Sequence, residues 1–346
     1  MSDHPDGFVG GWICDPARVK ESIERRLERG DAVTSSTFIA RHANELPGTW
    51  QRMKSQGITG VFLRDHERAL LNGNYRRPYL QRRGTCVSRG TARGVQTSLD
   101  VAIANHFELL KPVEVTFAPI YSLARHEVGK DRCGSGDGAI LADAVQAVHD
   151  YGVATTDLFH GVSEDGVERM AVQYAAPAVG TPASWVQAAK GHTCVTFWPE
   201  DLELLVDCLA AGYAVPYAMN YVTGSSSHYG ISGLGSYGPH CRCFVGVFVD
   251  ENGETQLESS ESWGRFPAGQ PTDSDQTMPI DQIPRITLSY AGGQRQLPPG
   301  DVGVNAKQFW HEIQSGGEAW AVGAPSFEVG SVSELFHTRA QSKETV

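Results

Sequence analysis

The chain has no apolar run long enough to cross a bilayer. Its longest strongly apolar stretch, CFVGVFV, has seven residues, against the roughly 20 that a spanning helix needs. The N-terminus, MSDHPDGFVGGWICD, lacks the basic and then apolar order of a secretory signal. A soluble, cytoplasmic protein with no membrane partner is the expectation. Positive charge is also short: 29 Lys and Arg against 40 Asp and Glu leave a net −11, the wrong balance for a surface that binds phosphates, so no nucleic-acid partner is expected. Cysteine is too sparse, and odd in number, for a disulfide framework. The seven thiols, Cys14, Cys86, Cys133, Cys194, Cys208, Cys241 and Cys243 in 346 residues, point to a reducing compartment with at least one thiol free. No internal repeat is visible.

One stretch lacks acid altogether. Between Arg68 and Leu99 there is no Asp or Glu, while Arg68, Arg76, Arg77, Arg82, Arg83, Arg89 and Arg93 all fall there. These guanidinium groups are expected to pair with the protein's own carboxylates.

What is present divides into four parts. Residues 1–75 read as an N-terminal extension containing one surface helix, PARVKESIERRLERG, with Val19, Ile23 and Leu27 at helical spacing. Residues 76–200 read as a helical half. It holds a helix after Cys86, whose Gly90 and Gly94 weaken the pattern, and a second over GAILADAVQAVHDYG. Residues 201–330 read as a β-rich half: a helix over PEDLELLVDCLAAG, strands over YAVPYAMNYV, CRCFVGVFVD and TQLES with Asn252-Gly253 as a turn, a hairpin over PRITLSYAGGQRQL and a last strand at EAWAVGA. TGSSSHYGISGLGSYGP (223–239) reads as a flexible loop, 265–284 as another, and 331–346 as a tail.

Two residues stand out chemically. Cys86 follows Gly84-Thr85 and opens a helix. There the unpaired N–H groups and the helix dipole favour a thiolate, and the Cys86 N–H can meet a developing oxyanion. His240 opens a strand after the Gly/Ser-rich segment, a position both rigid and open to a cleft. Glu261 stands 21 residues further on in ESWG, where it can orient the imidazole.

GTCVSRG, GPHCRCFVGVFVDENG and ESWG, in this order, resemble the nucleophile motif, the histidine strand and the third element of the papain-like cysteine peptidase family. The interval of 154 residues from Cys86 to His240 is close to the roughly 130–150 typical of that family. DRCGSGDG resembles its glycine-rich substrate wall, YGVATTDLF the end of the helix behind it, and LLVDCLAAGYAVPYAMN the helix and strand before the histidine. The resemblance covers about residues 80–265 and the final strand near 320, and does not reach residues 1–70.

It implies an α+β fold: a helical subdomain and an antiparallel β-barrel-like subdomain with the active-site cleft between them. It further implies a Cys86–His240–Glu261 set, an oxyanion site from the Cys86 N–H and Gln81, and substrate contacts at Gly134, Gly136, Asp137, Gly138 and Trp263. The substrate is a peptide or protein, and the implied chemistry uses no metal or cofactor. This chain departs from the family at four places. Gln81 lies five residues before Cys86 where the family has six, with Leu80 at the expected position. Glu261 replaces Asn, Val87 replaces Trp, and Cys133 lacks the partner of the family's disulfide. A carboxylate at 261 is expected to stabilise the imidazolium more than a neutral amide does, and the arginine stretch suggests a preference for acidic peptides.

Two other functions fit the same residues: a papain-fold binding or assembly protein that has lost catalysis, such as a virion component with partners of its own, and a transglutaminase-like acyltransferase. GLGSYG (233–238) satisfies G-x-G-x-x-G, but Pro239 and a strand-like run follow it rather than a helix, so no dinucleotide site is expected. Cys241 and Cys243 alternate with His240 on a strand, which sends them to the opposite face and argues against a shared zinc ion.

Overall fold

The computed structural model describes residues 11–34, 46–78, 81–106, 112–227, 229–261, 279 and 282–325. Local signals start the helices. In α1 (Pro16–Glu28) the Asp15 carboxylate accepts from the Arg18 N–H at 2.9 Å and proline occupies the first turn, a cap worth about 1 kcal/mol. Short α2 (Thr49–Ser55), β1 (Gly60–Phe62) and α3 (Arg64–Leu70) follow, then the long α4 (Cys86–His106). Residues 86–101 of α4 are all buried. Its two glycines are there for contact: a Cβ on Gly90 would lie 2.9 Å from the Cys241 sulfur, and one on Gly94 would lie 2.8 Å from Pro216 and Val322 atoms. Glycine costs about 1 kcal/mol of helix propensity at each place, which close packing offsets.

Around α4 lie α5 (Ala118–Ser122), α6 (Leu141–Asp150), α7 (Glu164–Tyr174) and α8 (Ala183–Ala189). After β2 (Cys194–Phe197) comes α9 (Leu202–Ala210), capped by Asp201. The β-rich half then holds β3 (Val215–Ser226), β4 (Ile231–Val249), β5 (Thr255–Ser260), the β6 (Thr287–Tyr290) and β7 (Gly293–Gln296) hairpin, β8 (Asp301–Val304), α10 (Ala306–Gln314), β9 (Glu318–Ala319) and β10 (Ala321–Pro325).

β3 and β4 form a long antiparallel hairpin that pairs Met219 with His240 and Tyr217 with Arg242. β4 is long enough to serve two neighbours. Its end pairs with β5, its start pairs in parallel with β8, and β5 pairs with β8, so the sheet curls back on itself. The structure is thus α+β, with a curled mixed sheet in place of a purely antiparallel one. The segment 223–239, expected as a flexible loop, is mostly strand: β3 runs to Ser226 and β4 starts at Ile231. GLGSYG lies inside β4, so the helix its nucleotide reading required does not follow. The expected extension is also woven in, since β1 pairs with β4 through Val61 and Val247.

One apolar core gathers α4, α5 and α6, including Cys86 and Cys241. A second gathers β3, β4, α9 and α10, including Cys243. The head of α4 meets β4 at Cys241, and since β4 begins at Ile231, His240 lies midway along this strand and does not open it.

Candidate active site

Cys86 is the first residue of α4. A Cβ on Gly84 would lie 2.7 Å from the Asp137 Cβ and 2.8 Å from the Gly138 nitrogen, so only glycine lets the loop before Cys86 touch the 134–138 segment. The loop is pinned from behind by Glu168. Its carboxylate accepts from the Thr85 hydroxyl at 2.6 Å and from the Arg82 and Arg83 N–H groups at 3.1 and 3.2 Å.

The Cys86 side chain is fully buried. Burial pushes its thiol up to about 11, while the N–H groups of Cys241 and Gly11, the Gln81 side chain and the Arg242 charge act the other way. The helix start alone would lower this thiol; in the closed site desolvation outweighs it. Cys194 and Cys243, equally buried, are pushed further still. Gln81 is thus one of the groups that act on the thiol despite its one-residue offset, and its amide donates to the Arg83 carbonyl at 2.7 Å. The sulfur lies against the peptide that joins His240 to Cys241.

His240 faces away from Cys241. The Cys241 sulfur packs toward α4 against Gly90, while His240 Nε2 lies 3.6 Å from Glu261 Oε2, with both side chains fully buried. Glu261 reaches this place through a register shift. A bulge between Phe244 and Gly246 moves the β4–β5 pairing by one residue, so Cys243 faces Ser260 and the next step along the ladder sets Arg242 beside Glu261. Arg242 Nε lies 3.0 Å from Glu261 Oε1, which also accepts from the Thr223 hydroxyl at 3.2 Å. Burial works to raise the Glu261 carboxyl, but Arg242, with His240 and Thr223, holds it below the usual carboxylate range.

Residues 11–13 form a strap against the Gly84 loop and Ala139, which nothing in the sequence indicated. The Ile13 N–H donates to the Ala139 carbonyl at 2.9 Å and the Ala139 N–H donates to the Gly11 carbonyl at 2.7 Å, a parallel pairing centred on Trp12. A Cβ on Gly11 would lie 2.1 Å from the Gly84 oxygen. The Trp12 indole is buried and donates to Glu318 at 2.9 Å; the Ala142 N–H donates to the same carboxylate at 2.8 Å. Burial raises Glu318 to about 7 in spite of these donors.

Of the expected wall residues, Gly134, Gly136 and Asp137 are exposed and Gly138 is buried under the strap. The backbone edge in use is Ala139, one residue beyond them. Arg125 fixes the wall by donating to the Gly134 and Gly138 carbonyls at 2.6 and 2.7 Å. Trp263 and Leu80 lie outside the described residues. Cys133 is a free thiol.

Four of the seven arginines are committed internally: Arg76 to Asp100, Arg83 to Asp165, Arg89 to Glu164 and Glu168, and Arg93 near Glu67. This supports pairing within the protein and removes most of the basis for a preference for acidic peptides. Sequence reasoning missed Arg242 and Glu318. Arg242 had a signal, since it shares a strand face with His240 two residues away; Glu318 had none.

No protein-family model and no curated protein matches the sequence. Among solved structures, xylellain, a cysteine protease from Xylella fastidiosa, is 16% identical over 77% of this chain and 86% of that one, with a TM-score of 0.47. Digestive procathepsin L2 from the Tenebrio molitor larval midgut is 14% identical over 94% and 81%, with a TM-score of 0.49. The bromelain protease from Ananas comosus, in complex with the E64 inhibitor, is 12% identical over 78% and 100%, with a TM-score of 0.43.

Proposed function

We propose that this chain is a papain-like cysteine peptidase held in a closed form by residues 11–13. The observation that supports it most is the surroundings of the Cys86 sulfur: it sits at the head of a buried helix among polar groups of Gln81 and the Cys241 backbone, and the residue before Cys241 is a histidine backed by a carboxylate. No apolar structural role calls for that set of groups.

In the open form the Cys86 thiolate attacks the amide carbonyl and forms a C–S bond. The carbonyl oxygen gathers charge, which the Cys86 N–H and the Gln81 amide stabilise. His240, protonated, gives its proton to the leaving amine as the C–N bond breaks. It then takes a proton from the water that hydrolyses the thioester, and free Cys86 returns. Glu261 holds the ring through Nε2. The wall from Gly134 to Ala139 offers its backbone to an extended peptide, as it does here to the strap. Among the described residues no helix is long and apolar enough to cross a membrane.

Intact-mass measurement after treatment with a peptidyl electrophile tests this reading, using the full chain and a chain lacking residues 1–14. One adduct, mapped to Cys86 and faster in the shortened chain, is expected. No adduct at Cys86 in either chain would move the assignment to a binding or assembly protein. Product formed only when a primary amine is added would indicate acyl transfer.

A further inference from the structure

We propose that Arg242 is a positioning residue which neutralises Glu261, so that the pair presents His240 with an oriented acceptor of little net charge, electrically close to a neutral amide. This rests on the assignment of His240 and Glu261 above. The geometry is specific. Arg242 on β4 lies beside Glu261, the residue that follows β5, with Nε 3.0 Å from Oε1, while the other carboxylate oxygen faces His240 at 3.6 Å. Arg242 cannot swing away. Its guanidinium donates to the Tyr221 carbonyl at 2.6 Å and the Tyr217 hydroxyl at 3.3 Å, and lies over the Tyr217 ring at 5.6 Å.

Burial makes the arrangement necessary. A lone carboxylate beside His240 in a fully desolvated site would either take up a proton or hold the imidazole permanently charged. A general acid that never releases its proton cannot later act as base. Arg242 removes both outcomes by supplying the compensating charge. Tyr217 on β3 faces the pair, and the thiols of Cys86 and Cys241 feel the Arg242 charge from the α4 side; all three are raised by burial and therefore uncharged near neutral pH, and the Thr223 hydroxyl contributes one neutral bond. The extra stabilisation of the imidazolium expected from Glu261 alone is thus largely cancelled.

The test is the titration of His240, followed by NMR of the full chain with labelled histidine and assigned with a His240→Asn variant. Arg242→Met leaves the carboxylate uncompensated and should raise the His240 midpoint by about one pH unit or more. Glu261→Gln should lower it, and Arg242→Met with Glu261→Gln should return it to within about half a unit of the parent, the scale on which a net-neutral pair is felt. A purely structural arginine would not produce opposite shifts that cancel. If Arg242→Met does not fold but the double variant does, the uncompensated charge is the cause and the proposal stands. An unmoved midpoint in Arg242→Met, a double variant that keeps the raised midpoint, or failure of both to fold would overturn it. Peptide hydrolysis is a separate readout: a parent that hydrolyses nothing but titrates as described refutes the peptidase reading and leaves the Arg242–Glu261 pair intact.

Discussion

Replacing Gly11 by Val should open the site and expose Cys86 to reagents. The native strap fits only because residue 11 has no side chain: a Cβ there would lie 2.1 Å from the Gly84 oxygen and 2.2 Å from its carbonyl carbon. Both are backbone atoms of a loop that Glu168 holds from behind, so the strap must lift instead. The thiol stands at about 11 in the closed site. At pH 7 that leaves a thiolate fraction of about 10⁻⁴, against about 3% for an ordinary thiol near 8.5. Release should therefore speed alkylation by roughly 300-fold from ionisation alone, and further through access. The assay is iodoacetamide labelling at pH 7 with peptide mapping, and Cys194 and Cys208, both buried, serve as folding controls. A Cys86 rate unchanged in Gly11→Val would refute the claim that the strap closes the site. Equal acceleration at Cys194 and Cys208 would also refute it, because general unfolding would then be the cause.

Three further outcomes follow from the same geometry. Glu318 stands at about 7 when folded, above the ordinary carboxylate value. Folding then favours the protonated form, and stability present below about pH 4 should fall by about 3 kcal/mol as pH rises to 8; urea unfolding at pH 5 and 8 should show Glu318→Gln losing much less than the parent. Gly90→Ala puts a methyl 2.9 Å from the Cys241 sulfur and 3.0 Å from the Arg242 carbonyl, which should cost about 1–3 kcal/mol in thermal or urea unfolding; a variant as stable as the parent would show that α4 and β4 can separate freely. With Arg76, Arg83 and Arg89 already bound to carboxylates, hydrolysis of acidic and neutral peptides should differ little between low and high salt, and a clear salt-sensitive preference for acidic peptides would contradict the internal pairing.

Contiguous residues encode contiguous structure, and those parts were legible. Asp15-Pro16 starts α1, Asp201 starts α9, and Asn252-Gly253 turns β4 into β5, because caps and turns are made by a few neighbouring backbone groups. The order of GTCVSRG, GPHCRC and ESWG pointed to Cys86, His240 and Glu261, of which the structure sets His240 beside Glu261. Where reading failed, the deciding contact lay far along the chain. Gly90 and Gly94 look like helix breakers until Cys241, Pro216 and Val322 are seen against them. GLGSYG looks like a loop until pairing with β3 makes it strand.

Glu261 reaches His240 only because one bulge between Phe244 and Gly246 shifts the ladder by a residue; an unbroken register would bring Cys243, not Arg242, beside it. No local pattern announces such a bulge, yet in a sheet with side-chain period two it decides which face each residue occupies. The closure of the site is more remote still. Gly11 and Trp12 lie more than 70 residues before Cys86, and their partners Ala139 and Glu318 lie far beyond it. The burial that raises the Cys86 thiol is therefore a property of the assembled chain, and no stretch of sequence carries it.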